Sequence, residues 1–169
     1  KGNIVTWAHG CGIIFECIKA AKGHHLDIGT NLGGTAILAY RALDPSFRVY
    51  TIDPFPKEGK YSWDQPAIQD VFDNLKLLAP TAVWKSSYAE LPPDLRFATA
   101  YIDGSHYFEE ITKDWQFCVE RVDNYIILDD CCEKFLDVMR FVYEVAQHQG
   151  GWRLVHLGGI TAVFKRIHP

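Results

Sequence analysis

Residues 151–167 read GWRLVHLGGITAVFKRI. Two runs rich in β-branched and apolar residues flank Gly158 and Gly159, and a Gly-Gly pair between such runs signals a tight β-hairpin. A hairpin pairs antiparallel, so the sheet this segment joins ends in an antiparallel pair. Upstream the pattern is different, because short apolar runs alternate with longer stretches of helical spacing. Residues 133–149 have that spacing and stop at Gly150-Gly151, a helix-ending signal, and 125–128 (YIIL) is a short buried strand. Further back, 108–119 reads as a helix, 96–103 (RFATAYID) as a strand and 82–85 as a shorter strand. Residues 67–79 (AIQDVFDNLKLLA) place Ile68, Val71, Phe72, Leu75 and Leu78 on one helical face. Residues 47–52 and 24–28 are strands separated by a helix over 33–43.

Repeated strand–helix units with buried strands give a parallel sheet covered by helices on both faces. The expected fold is therefore α/β: a doubly wound, mostly parallel seven-stranded sheet closed by the C-terminal antiparallel hairpin. One domain is expected over 1–169, with an N-terminal helical segment (1–22) ahead of a core (23–169).

At 169 residues, 48% of them hydrophobic and 14% aromatic, the chain can bury a core without staples. The formal net charge is −4, with no cluster of Lys or Arg, so no nucleic-acid groove is expected. No apolar stretch reaches the roughly 18 residues of a membrane span, and no signal-peptide pattern opens the sequence, so no membrane partner is expected. Five cysteines without a CxxC spacing read as free thiols in a reducing cytoplasm.

Right-handed crossovers bring the carboxyl ends of parallel strands to one edge, where such sheets bind ligands. Acid accumulates there: Asp27 in the first strand, Asp53 ending the second, Asp103 the fourth, and Asp129 with Asp130 the fifth. The segment 26–36, LDIGTNLGGTA, is a strand, a tight turn and a helix start. Its glycines allow close approach of a ligand, and the exposed N–H groups of the helix start favour an anionic group. The spacing D-x-G-x-x-x-G-G departs from the G-x-G-x-x-G of dinucleotide sites, and a plain strand-to-helix turn is the alternative. Asp53 stands where a ribose-hydroxyl acceptor is found in nucleotide-binding sheets; a turn-forming Asp before Pro54 is the alternative.

LDIGTNLGGT, TIDPF, SSYAEL, YIDGSHYFEEITKDW, YIILDD and the closing hairpin, in that order over about residues 12–167, resemble the class I S-adenosylmethionine (SAM) methyltransferases. Within that superfamily the chain is most similar to the metal-dependent small-molecule O-methyltransferases of the catechol, caffeoyl-CoA and macrolide-sugar types. The terminal hairpin separates this fold from the dehydrogenases, which disfavours a nicotinamide-dependent oxidoreductase. The resemblance implies that Asp27, Gly29, Thr30, Asn31, Gly33 and Thr35 cradle the methionine part of SAM. Asp53 would bind the ribose hydroxyls, and Ser87 and Tyr88 would lie against the adenine. It also implies a magnesium ion held by Asp103, Asp129 and Asp130, with Asp103 shared between donor and metal sites. Adjacent carboxylates that repel one another are held together by such an ion, a hard cation that prefers oxygen ligands. For Asp130 a helix cap is the alternative. His106 stands where catechol-type enzymes carry a catalytic lysine, and could take the proton of a substrate hydroxyl. The implied partner is a small hydroxylated acceptor such as a sugar or polyphenol, with a homo-oligomer possible. A non-catalytic SAM-binding protein of the same fold is the rival reading.

Cys131 and Cys132 read as buried thiols, a zinc site with a histidine being the alternative. Residues 54–67 (PFPKEGKYSWDQPA), with Tyr61 and Trp63, are either a lid over the donor or a surface loop. Trp7 and His9 are candidates for the acceptor pocket or for core packing.

Overall fold

The computed structural model describes residues 8–55 and 64–167. The strands are β1 (His25–Ile28), β2 (Val49–Ile52), β3 (Val83–Lys85), β4 (Phe97–Ile102), β5 (Val122–Leu128), β6 (Trp152–Gly158) and β7 (Thr161–Arg166). They form one seven-stranded sheet in the order β3-β2-β1-β4-β5-β7-β6. β1 to β5 run parallel, and β7 pairs antiparallel with both β5 and β6. The expected doubly wound sheet with a terminal hairpin is therefore the observed fold. Because β1 is flanked by β2 and β4, the strand order reverses there, and Gly29, Asp53 and Asp103 come to neighbouring tips.

Helices α1 (Ala8–Ala20), α2 (Gly34–Ala42) and α3 (Gln65–Leu78) cover one face. Ile14 and Ile18 of α1, the Ala36/Ala39/Ala42 row of α2, and Val71 and Leu75 of α3 pack there on Val49, Tyr101, Ile127 and Val163. Helices α4 (Phe108–Arg121) and α5 (Leu136–Glu144) cover the other face. Trp115 is its centre, fully buried against Phe141, Trp152 and Phe164 with ring centroids 4.9–6.2 Å apart. Burying each such side chain contributes about 1.5–3 kcal/mol or more. Successive strand residues point to opposite faces, so Leu26 and Ile28 enter the Trp115 core while His25 and Asp27 face α1 to α3.

Helix α3 starts at Gln65, two residues before the expected 67. Asp64 caps it by accepting from Ala67 N–H at 2.8 Å, and Pro66 sits in the first turn, where its missing N–H costs nothing. Two further boundaries differ most in their consequences from the sequence reading. β5 begins at Val122, directly after α4, three residues before the expected start. α5 begins at Leu136 rather than near residue 133, with Phe135 in the cap position, and gives way to a 3-10 turn at Ala146–His148. The reason lies in the turn after β5, where Asp130 adopts a left-handed backbone (φ 55°) and Cys131 N–H donates to Ile160 O at 2.8 Å. The chain is thus tied to the hairpin before it can turn helical, and Asp130 does not cap α5.

Among the described residues no helix is long and apolar enough to cross a membrane.

Candidate active site

The loop after β1 is built on one close backbone contact. Gly29 has φ +93°, and a Cβ there would lie 2.2 Å from the carbonyl oxygen of Asp103. Glycine therefore lets the tips of β1 and β4 touch. Gly33, also left-handed (φ +77°), turns the chain into α2 with its N–H on Thr30 O at 2.7 Å. Thr35 follows in the first turn of α2.

Beneath this loop Asp27 is fully buried. Register places it beside Thr51 of β2, whose hydroxyl donates to Asp27 Oδ2 at 2.7 Å. The Thr51 proton being so used, Thr30 Oγ1 donates to Thr51 Oγ1 at 2.6 Å. Asp27 Oδ1 has no partner among the described residues. Burial pushes this carboxyl up to about 7, the Thr51 hydrogen bond pulls it back and the charge of Asp53 adds to the rise. An orphaned carboxylate oxygen under a glycine loop is a seat for a cation or a strong donor. Thr51 was absent from the sequence reading, since only strand register reveals it.

Asp53 accepts from two backbone amides, Asn31 N–H at 3.1 Å and Phe55 N–H at 2.8 Å, one on each carboxylate oxygen. Its own carbonyl accepts from Trp84 Nε1 at 3.1 Å. Asn31 and Phe55 both have positive φ (44° and 42°), so the two loops bend to meet this carboxylate. Further along the edge, Ser87 is exposed. Tyr88 stacks on Phe117 of α4 (centroids 4.3 Å) and donates to Asp114. Tyr88 thereby ties the turn after β3 to α4.

The acidic end is divided differently from the sequence expectation. Asp129 is 6% exposed and accepts from the Tyr101 hydroxyl on one oxygen and from Thr161 Oγ1 (3.2 Å) on the other. Asp130 turns the opposite way, and its Oδ2 lies 2.7 Å from His106 Nε2. The His106 ring stacks on Phe135, with centroids 4.1 Å apart and planes at 18°. Asp103, His106 and Asp130 each bring a ligand atom within 4.8 Å of the others. Burial first, then the charges of Asp129, Asp130 and Asp27, raise the Asp103 carboxyl well above the usual range. The structure thus groups Asp103 and Asp130 with His106, and sets Asp129 apart in a buried network with Tyr101 and Thr161. Neither partner of Asp129 was legible, since one lies on β4 and the other on β7. Replacing Tyr101 by Phe removes a buried hydrogen bond to a carboxylate. The expected loss is about 2 kcal/mol, and for a chain of this size a midpoint lower by about 4–8 °C in thermal unfolding.

Cys131 is buried, its Sγ donates to Leu128 O at 3.6 Å, and burial pushes the thiol up to about 12. At neutral pH it is a packed thiol and not a thiolate ligand. Trp7, Tyr61, Trp63 and the side chain of His9 lie outside the described residues.

No known family's sequence profile matches the chain, and no curated protein matches it. Solved structures do. The O-methyltransferase from Bacillus cereus in complex with SAH superposes with a TM-score of 0.73 at 15% identity, covering 99% of this chain and 84% of that one. TomG from Streptomyces achromogenes, an O-methyltransferase involved in tomaymycin synthesis and solved with SAM, gives 0.70 at 15% identity, covering 98% and 82%. A Clostridium thermocellum protein assigned as an rRNA methylase gives 0.69 at 12% identity, covering 96% and 100%. At these identities the likeness is one of fold.

Proposed function

We propose that this chain is a SAM-dependent methyltransferase that methylates a hydroxyl oxygen of a small molecule with the assistance of a divalent cation. The observation that carries the reading is Asp27, a fully buried carboxylate with one unpartnered oxygen beneath the Gly29–Gly33 loop. SAM brings an ammonium and a sulfonium to a site of this kind, and the positive charge compensates an otherwise costly buried anion. Thr30 and Thr51 fix the Asp27 carboxylate, and Asn31 N–H and Phe55 N–H fix Asp53 for the ribose hydroxyls. Ser87 and Tyr88 bound the adenine end, with Tyr88 anchored on α4.

The acceptor meets the donor beside Asp103, His106 and Asp130. Its hydroxyl oxygen forms the new bond to the methyl carbon as the carbon–sulfur bond breaks. The electron pair stays on sulfur, which becomes a neutral thioether, and the hydroxyl proton leaves to this cluster. Asp103 and Asp130 suit a divalent cation, whereas Asp129 accepts from Tyr101 and Thr161 and lies outside the converging group. When bound, such a cation lowers the pKa of an acceptor hydroxyl and orients it. The chain's own contribution is positioning: the Gly29 contact holds the donor loop against the Asp103 turn, bringing the two reactants to adjacent strand tips.

Thermal unfolding with S-adenosylhomocysteine, and separately with NAD, tests the reading. At about 100 times its Kd a ligand of the folded state adds roughly 2.7 kcal/mol, here about 5–11 °C. Stabilisation by the homocysteine product is expected. Stabilisation by NAD alone sinks the proposal, and donor binding without methyl transfer to any hydroxylated acceptor leaves a non-catalytic SAM binder. The net charge of −4 favours a small acceptor over RNA, and labelled methyl transfer to total RNA under the same conditions should give no signal above background.

A further inference from the structure

The acidic set implied by the sequence is not the set that converges. Asp129 is held by Tyr101 and Thr161 inside the sheet, and it is not among the side chains whose ligand atoms converge. Its place beside Asp103 and Asp130 is taken by His106. Ligand bonds of about 2.0–2.2 Å put donor atoms at most ~4.4 Å apart around one ion. The three donor atoms here already lie within 4.8 Å of each other, so small side-chain rotations bring them onto a common centre. His106 presents Nε2 to the cluster on a ring fixed by Phe135, and Asp130 presents Oδ2 at 2.7 Å from it.

We infer that the cation site of this chain is Asp103–His106–Asp130, one imidazole and two carboxylates, and that it selects a borderline transition metal such as Fe2+, Co2+ or Zn2+ over Mg2+. The inference rests on the methyltransferase reading for its biological setting but not for its chemistry. An all-carboxylate and water set suits Mg2+, whereas an imidazole nitrogen favours the later divalent ions. Binding replaces the hydrogen bond between His106 Nε2 and Asp130 Oδ2 with a bond from each atom to the ion. Nε2 is then occupied, so His106 holds the ion in place of the proton-acceptor role the sequence suggested for it. Asp129 becomes a structural carboxylate that secures β5 to β4 and β7.

The test is a titration of chelator-treated protein with Co2+, followed by visible absorption and by proton NMR for hyperfine-shifted imidazole resonances. Mg2+, Mn2+ and Zn2+ are the competitors. The same samples are assayed calorimetrically for S-adenosylhomocysteine. One equivalent of Co2+ should bind, with shifted imidazole signals, and Mg2+ should displace it only in large excess. His106→Gln, at a partly exposed position, should weaken Co2+ binding by at least the roughly 10–100-fold that even outer-shell partners cost, and abolish the shifted signals. Asp129→Asn should bind Co2+ as the parent does; if that variant does not fold, His106→Gln decides alone. Equal Co2+ affinity in His106→Gln, or Mg2+ competing on equal terms, overturns the inference. So does failure to bind any of these ions in protein that binds S-adenosylhomocysteine, an outcome that leaves the methyltransferase reading standing. The converse, metal bound through His106 with no affinity for the nucleoside, upholds the site and removes the methyltransferase.

Discussion

Replacing Gly29 by Ala lowers the thermal midpoint by about 6–12 °C, a loss of about 3 kcal/mol or more, and takes S-adenosylhomocysteine affinity with it. Two costs combine. A non-glycine residue in a strained backbone region costs about 1–3 kcal/mol, and forcing an extra methyl into a filled space costs about as much again. The methyl would meet backbone, the Asp103 carbonyl at 2.2 Å, which cannot rotate aside as a side chain would. Relief requires the tips of β1 and β4 to separate, and those tips carry the proposed donor and acceptor ends. Differential scanning calorimetry of the purified variant reads the first effect and isothermal titration the second. An Ala variant with unchanged midpoint and affinity would mean that the two tips are not in contact.

Asp27 makes the ligand-free protein lose stability as pH rises from about 4 to 7. Asp27 has its folded-state pKa raised from 3.8 to about 7, chiefly by burial. Between those values the folded chain keeps a proton that the unfolded chain has released, so unfolding is favoured as pH climbs. The effect is fully absent below about 4 and fully developed above about 7. At 1.36 kcal/mol per unit of pKa the loss is on the order of 4 kcal/mol. Asp103 and Asp129 are raised as well, and add to it in the same direction. Buried His25, whose folded-state pKa is lowered to about 3, acts in the opposite direction, so the decline is read in urea unfolding as the difference between the parent and Asp27→Asn, which should be the flatter of the two. Saturating S-adenosylhomocysteine should also flatten it, because its ammonium compensates the charge on Asp27. Parent and Asp27→Asn proteins with the same pH dependence between 4.5 and 7.5 would show that Asp27 ionises freely and that the cation-seat argument fails.

Local residue pattern carried the architecture because each device acts over a few residues. The apolar face of 67–79, the glycine turn after Ile28 and the Gly158-Gly159 hairpin need no distant partner to be recognised. Strand order follows from such elements through the right-handed crossover, so the acidic edge was also legible, down to Asp27, Asp53, Asp103 and Asp130. The misplaced start of α5 marks where local pattern stops being sufficient. Residues 133–135 have helical spacing, yet the left-handed backbone at Asp130 and the bond from Cys131 to Ile160 hold the chain back until Leu136.

The division of labour among the carboxylates was settled only in three dimensions. Asp129 and Asp130 are identical side chains one residue apart, so their sequence neighbourhoods cannot tell them apart. Strand alternation turns Asp129 toward Tyr101 and Thr161, while the positive φ of Asp130 swings its carboxylate to His106. Thr51 beside Asp27, Tyr88 on Asp114 and Phe135 on His106 likewise pair residues 24 to 29 positions apart. The sequence by itself determined the sheet, its helices and the edge where acid collects, because hydrophobic period and turn chemistry are local. Which carboxylate is buried against Tyr101 and Thr161 and which faces His106 was decided by register and backbone handedness, properties that exist only once the strands have paired.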